Sequence, residues 1–351
     1  DLARRAAADA AEQARLRGLA DEEAARARAL ATFMETVFLR ASPRNATGDR
    51  TLIEVTKSAG EELDAGGLAE HPVARAKLRT IIAETLFNVG EKAAALGQLE
   101  AVRDSWEAGE LEPGPEVVDT LHGLSAVRRT LGRFEASAKA VEDALRVAEA
   151  AGLERRVPDL LHTRALLDLT LGRREAARSG LERAVEEMRA LAGELEAPYI
   201  INSLDQLALL HYYDGRFDAA EALLEEALAL SRRELGEDHV KTAVPMSFLA
   251  LVAIAQGEPG RGERLARAAL AIRQGKLDPA GFRIEHDRRT IGRALLDQGE
   301  VEAAEAMLTL ALTARHGEHW TPEAARGPAA AHLVEAWAQL ERRGEALRLD
   351  D

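Results

Sequence analysis

From residue 72 onward, apolar residues fall at i, i+3, i+4 and i+7 in runs of about four turns, separated by short polar turns that each carry a glycine. The glycines stand at Gly90, Gly132, Gly172, Gly215, Gly257 and Gly299, so that successive turns are 42, 40, 43, 42 and 42 residues apart. One amphipathic run precedes each glycine and another follows it. The pattern predicts a helical hairpin repeated six times over residues 72–315.

Three further columns align on these glycines. Seven residues before the glycine stand Ala83, Ser125, Ala165, Ala208, Ala250 and Gly292; five after it stand Ala95, Ser137, Ala177, Ala220, Gly262 and Ala304. Twelve after it stand Val102, Ala144, Ala184, Ala227, Ala269 and Ala311. Helix axes approach closely only where contact residues are small, so these columns mark where the two helices of a hairpin cross and where the next hairpin docks. Larger residues such as Ile82, Leu124, Leu207 and Leu249 fill the spaces between. The fold class expected is an all-α, right-handed α-solenoid of stacked antiparallel helix pairs.

The ends differ from the repeats. Residues 1–40 read as one long helix rich in alanine, arginine and glutamate, apolar towards Phe33, Val37 and Leu39. ASPRNATGD stops it at Pro43, and TLIEVTKSAGEEL starts a second helix. Residues 1–64 are therefore expected to form a degenerate capping pair, since a terminal repeat has no neighbour over its outer apolar face. Residues 321–351 read as a partial C-terminal repeat or cap.

Composition removes several functions. With 46 basic against 60 acidic residues the formal net charge is -14, which repels nucleic-acid phosphates and anionic lipid. Absence of cysteine excludes disulfides and thiolate metal sites. No apolar run is long enough to span a bilayer within the segment. An alanine-rich chain in which arginine outnumbers lysine suggests a GC-rich bacterial genome. The first residue, Asp1, suggests a processed chain or a piece of a longer one.

Catalytic chemistry is not indicated. No GxxxxGK[ST] phosphate loop and no kinase Gly-rich, HRD or DFG element is present. GEPGRG at 257–262 falls on a repeat turn with no preceding strand, and EHDRR at 285–289 reads as helix surface. His316 and His319 flank a glycine without a third ligand, as a solvated loop pair does. No catalytic residue, cofactor or metal site is expected.

The small residues at these offsets, the glycine turn, and Phe134 and Phe217 two residues past it resemble tetratricopeptide repeats. The usual unit of that family has 34 residues; the longer unit here is similar to the repeats of kinesin light chains, whose linkers LGEDHVKTA at 235–243 resembles. Pro259 and Arg174 depart from the aromatic of the pattern, and Gly262 is expected to weaken its helix. The order of a charged Ala/Arg helix, FMETVFLRASP, EVTKSAGEELD and HPVARAKLRTIIAETLFNVGE over residues 22–100 also resembles the repeat region of bacterial receptor-like serine/threonine protein kinases. That second resemblance implies a catalytic domain and a membrane span upstream of Asp1. The alternatives are the regulatory repeat domain of a bacterial transcription factor and a stand-alone adaptor.

What the family resemblance implies is a non-catalytic scaffold binding a peptide or protein in a groove on the first helix of each repeat. Columns thirteen, ten, six and three residues before the glycine would face that groove. They supply His122 and Arg129 in the second repeat, His162 in the third, Asn202, Asp205 and Tyr212 in the fourth, and Arg289 and Arg293 in the sixth. For His122 and His162 a purely structural role is the competing reading. Self-association through residues 1–40 is the competing route to a partner.

Overall fold

The computed structural model describes residues 52–191 and 197–316 apart from residue 280, with scattered helical positions between 13 and 33 and between 331 and 339. Most of the expected terminal segments 1–64 and 321–351, and the His316/His319 pair as side chains, lie outside the described residues. Among the described residues there is no strand. The helices are α1 (Leu52–Asp64), α2 (Pro72–Asn88), α3 (Lys92–Glu107), α4 (Pro115–Thr130), α5 (Phe134–Ala150), α6 (Val157–Thr170) and α7 (Arg174–Ala190). They continue as α8 (Ala197–Tyr213), α9 (Phe217–Leu235), α10 (Ala243–Ala255), α11 (Pro259–Arg273), α12 (Phe282–Gln298) and α13 (Val301–His316). The chain divides into two compact units, 1–180 and 181–351, with the boundary inside α7.

In the first unit α2 pairs with α3 and α4 with α5, and α4 and α6 each dock on the second helix of the preceding hairpin. In the second unit the pairs are α8 with α9, α10 with α11 and α12 with α13. First helices also touch first helices, α2 against α4 and α10 against both α8 and α12.

Each hairpin turns by the same device. The hinge glycine is left-handed, with φ of 73° at both Gly132 and Gly215, a conformation that strains any residue bearing a β-carbon. The amide after it returns to the carbonyl five positions back, Arg133 to Arg128 and Arg216 to His211 at 2.9 Å each. This is a Schellman closure, and it satisfies carbonyls that a helix end otherwise leaves orphaned. Proline opens α2, α4 and α11 within the first turn, where its missing N–H costs nothing.

The small columns are the seam of the core. Ala83, Ala95, Ala208, Ala220, Ala250, Ala269, Ala304 and Ala311 are all buried, and so are Ser125 and Ser137. Gly262 belongs to an unbroken α11: a β-carbon there would stand 2.6 Å from Ile254 Cγ1 and 2.9 Å from the Ala250 carbonyl oxygen. The glycine thus sets the closeness of that hairpin, and the helix does not break at it. Fully buried Leu124, Leu224 and Leu308 fill between the columns. Each such leucine contributes about 1.5–3 kcal/mol relative to exposure. Exposed bridges between neighbouring repeats, such as Arg173–Glu135 at 2.7 Å and Arg189–Glu226 at 2.5 Å, add about 0–1 kcal/mol apiece. Apolar burial therefore dominates the stacking.

Two buried arginines fix two positions. Arg79, 4% exposed, donates to Asp64 at 2.6 Å and to Gln98 at 2.7 Å, and Arg75 donates to the Leu63 carbonyl at 2.8 Å. These contacts hold α1 over the first hairpin. In the second unit Arg273 donates to both Asp287 oxygens, at 2.6 and 2.5 Å, and to Ser247 Oγ at 2.7 Å. Asp287 is 0% exposed, and Glu285 is buried beside it, so the EHDRR stretch expected on the surface sends two carboxylates inward.

Candidate binding surface

At three of the hinges the residue ten positions before the glycine ties one repeat to the next. Thr80 and Thr120 hydroxyls meet at 2.9 Å, His122 Nε2 lies 3.2 Å from Thr163 Oγ1, and Ser247 donates to Asp287 at 2.7 Å. In each case a first helix reaches across to the following first helix. The small residues of the seam bring these helices close, and what remains between them opens on one face.

In the first unit that face holds a cavity of about 710 Å³. Its lining comes from α2 at Lys77, Thr80, Glu84 and Phe87 and from α4 at Asp119 and His122, with Ile81, Ala126 and Val127 as apolar wall. Counted from Gly90, the α2 residues stand thirteen, ten, six and three positions back. Ile81 is 48% exposed, a large apolar side chain open to solvent on a first helix. Asp119 and Arg156 pair at 2.9 Å on the rim.

Of the candidates in this unit, His122 lines the cavity, with Asp159 3.6 Å from its Nδ1. His162 is partly buried on α6; burial lowers its pKa and the nearby Asp159 acts against that shift. Asp159 is thus the group the two histidines share. Arg129 is exposed near the end of α4 and does not line the cavity. The residues missed are Lys77, Thr80, Ile81, Glu84, Phe87 and Asp119; the same column count reaches all but Ile81, which is the neighbour of Thr80.

In the second unit Asn202 is exposed, Asp205 is buried and Tyr212 is half-buried, all on α8. The Tyr212 ring lies 5.7 Å from Phe217 and 5.5 Å from Tyr213, while Tyr213 is itself 65% exposed. Burial raises the Tyr212 pKa, and Arg289 and Arg293 act in the opposite direction, which brings these three candidates into one neighbourhood. Arg293 also pairs with Asp297 at 2.8 Å and with Glu335 at 3.5 Å. His332 joins them: its pKa is lowered by burial and by Arg293 and Arg289. Asp205 stands apart, a carboxyl 2% exposed whose Oδ1 has no hydrogen-bond partner and whose pKa burial raises well above 3.8. Among the described residues no cluster of histidine, aspartate or glutamate suits a metal ion. No described helix is long and apolar enough to cross a membrane.

Six hairpins closed by left-handed glycines over small-residue seams define a tetratricopeptide-type architecture. Residues 199–275 match the tetratricopeptide repeat family. No curated protein matches the chain. Among solved structures it is similar to BtubC (BKLC) from P. vanneervenii, at 21% identity and a TM-score of 0.52, covering 74% of this chain and 95% of that one. It is also similar to the apo form of RapI, at 10% identity and a TM-score of 0.61, covering 91% and 87%. The quorum sensor NprR of B. thuringiensis matches in its apo form at 13% identity and a TM-score of 0.54, covering 88% and 79%. NprR in complex with its cognate peptide NprX matches at 14% identity and a TM-score of 0.50, covering 88% and 81%. At these identities the likeness is one of fold.

Proposed function

We propose that the protein is a non-catalytic scaffold that holds an extended peptide, or a segment of a partner protein, along the first helices of its repeats. The observation that carries this reading is the cavity lined by the α2 and α4 groove columns, where apolar Ile81 and Phe87 alternate with Lys77, Glu84 and His122. Such a mixture suits a peptide whose backbone needs hydrogen bonds while its side chains need apolar or charged partners. Support comes from NprR, solved with its cognate peptide on a similar fold. Fold alone does not fix function. The acid balance argues against nucleic acid as the partner.

The test compares partner capture by four proteins: wild type, Ile81→Glu, Asn202→Ala/Tyr212→Ala, and a variant lacking residues 1–40. The reading expects capture to fall for both groove variants and to persist without the N-terminal segment. Undiminished capture by the groove variants, with loss on removing residues 1–40, would establish the competing route through the N-terminal helix.

A finer reading assigns the segment to the regulatory arm of a bacterial serine/threonine protein kinase. It is supported by the order of sequence elements across residues 22–100. The gene sequence preceding the codon for Asp1 tests it: a kinase domain followed by one membrane span supports the reading, and a helix-turn-helix module replaces it with the transcription-factor alternative.

A further inference from the structure

Asp205 breaks the rule its column follows. Ten residues before the hinge glycine, Thr80, His122 and Ser247 each find a polar partner on the next first helix, at Thr120, Thr163 and Asp287. The corresponding positions of the next first helix, counted in register from Gly257, are the apolar Val244, Pro245 and Phe248. α10 carries no ionisable residue anywhere over Ala243–Ala255. On α9, Asp218, Glu225, Glu226, Arg232, Arg233 and Glu234 are exposed and Glu221 is engaged by Gln256 and Arg261. Within α8 itself the other ionisable residues are Tyr199 and His211, each six positions from Asp205, and Tyr212 and Tyr213 beyond. Burial alone acts on the carboxyl, and no charged group contributes.

A buried carboxyl with an orphaned oxygen is unfavourable for the folded chain, and such a group calls for a reason. Its surroundings indicate one. Asn202, one turn earlier on α8, is exposed, so Asp205 lies just beneath an accessible stretch of the first-helix face. Tyr212, about 10 Å further along the helix, sits within the field of Arg289 and Arg293, which disfavours a cation at that end. A positive group is thus directed to the Asp205 end. The net charge of -14 draws cationic segments to the chain in the first place.

We propose that Asp205 is the recognition point for a lysine or arginine side chain of a segment bound on the first-helix face, and that pairing ionises the carboxyl. The inference rests on the scaffold reading given above. The step balances simply: the ammonium or guanidinium donates to the new carboxylate, and the acid proton passes to solvent. A long, flexible side chain can thread its charge to a recessed acceptor while its methylenes cover Val244 and Phe248. Binding is therefore accompanied by proton release.

The test uses the full 351-residue chain and a displayed library of random dodecapeptides, followed by calorimetry of a selected peptide at neutral pH in buffers of different ionisation enthalpy. The expected result is a fixed basic position among selected peptides, at least a tenfold loss of affinity when it is replaced by citrulline or norleucine, and net proton release on binding. Asp205→Asn, nearly isosteric, should show the same loss and release no proton. Peptides bound without a basic position, or an unchanged proton release in Asp205→Asn, would overturn the inference. The underlying reading fails separately: selected peptides that still bind Asn202→Ala/Tyr212→Ala, or no selection at all, count against the groove itself.

Discussion

The hydroxyls of Ser125 and Ser137 lie 2.8 Å apart at the buried crossing of α4 and α5, where Ser137 also donates to the Ser125 carbonyl at 2.7 Å. In the fourth hairpin the same two positions are Ala208 and Ala220, both 0% exposed. Ser137→Ala therefore leaves a buried hydroxyl without its partner and should cost about 1–3 kcal/mol. The double variant Ser125→Ala/Ser137→Ala recreates the alanine crossing and should recover most of that loss. Urea denaturation of the singles and the double checks it; strictly additive losses would show that the two serines do not act as a pair.

Close approach also fixes residue size. A β-carbon on Gly292 would stand 2.5 Å from Leu308 Cγ. By helix propensity alone Gly292→Ala should stabilise α12 by about 1 kcal/mol. Overpacking should reverse the sign and leave a net loss of about 1–3 kcal/mol. Ala220→Leu at a fully buried position should behave likewise, whereas Glu225→Leu on the exposed face of α9 should change stability little. Equal melting shifts for Ala220→Leu and Glu225→Leu would mean that the seam is misplaced.

The Arg273–Asp287 pair is sealed from solvent, at 3% and 0% exposure. Asp287→Ala leaves a buried guanidinium without its counter-charge and should cost about 3–5 kcal/mol. Arg273→Met/Asp287→Leu should recover most of it, because well-packed apolar residues often replace a buried pair without loss. A double variant as unstable as the single would assign the pair a role beyond charge balance.

Asp205 links stability to pH. Its folded pKa is raised above the ordinary 3.8, so between these values the folded chain holds more protons than the unfolded one. Its contribution is fully present below the ordinary value and is lost as pH rises through the raised one. Asp205→Asn cannot ionise; its melting temperature should therefore gain on that of wild type steadily as pH rises from about 4. A gap that stays constant or closes with rising pH would contradict a neutral, buried carboxyl.

Much of this was legible in the sequence. The hinge glycines, the small columns and the helix pairs follow from spacing, since a left-handed turn demands glycine and a close crossing demands small residues. The buried charges were not legible. Arg273 and Asp287 lie fourteen residues apart on either side of a linker, and charged residues within a helix pattern ordinarily mark its solvent face. Only the meeting of two helices reveals that they face each other. The lone carboxyl of Asp205 was visible as a residue of the column, but its isolation depends on what the next repeat sets against it. The exposed Arg129 shows the limit of counting: Phe87, likewise three residues before its glycine, lines the cavity, whereas Arg129 does not.

Site-specific photocrosslinking tests the central claim most directly. A photoreactive residue is placed in turn at Ile81 and Tyr212 on first helices, at Glu226 on a second helix, and within residues 1–40, and each protein is irradiated with a library-selected peptide. If the first helices form the binding surface, adducts should arise at Ile81 or Tyr212 and be absent from Glu226 and from the N-terminal segment. Adducts confined to Glu226 or to residues 1–40 would contradict the account.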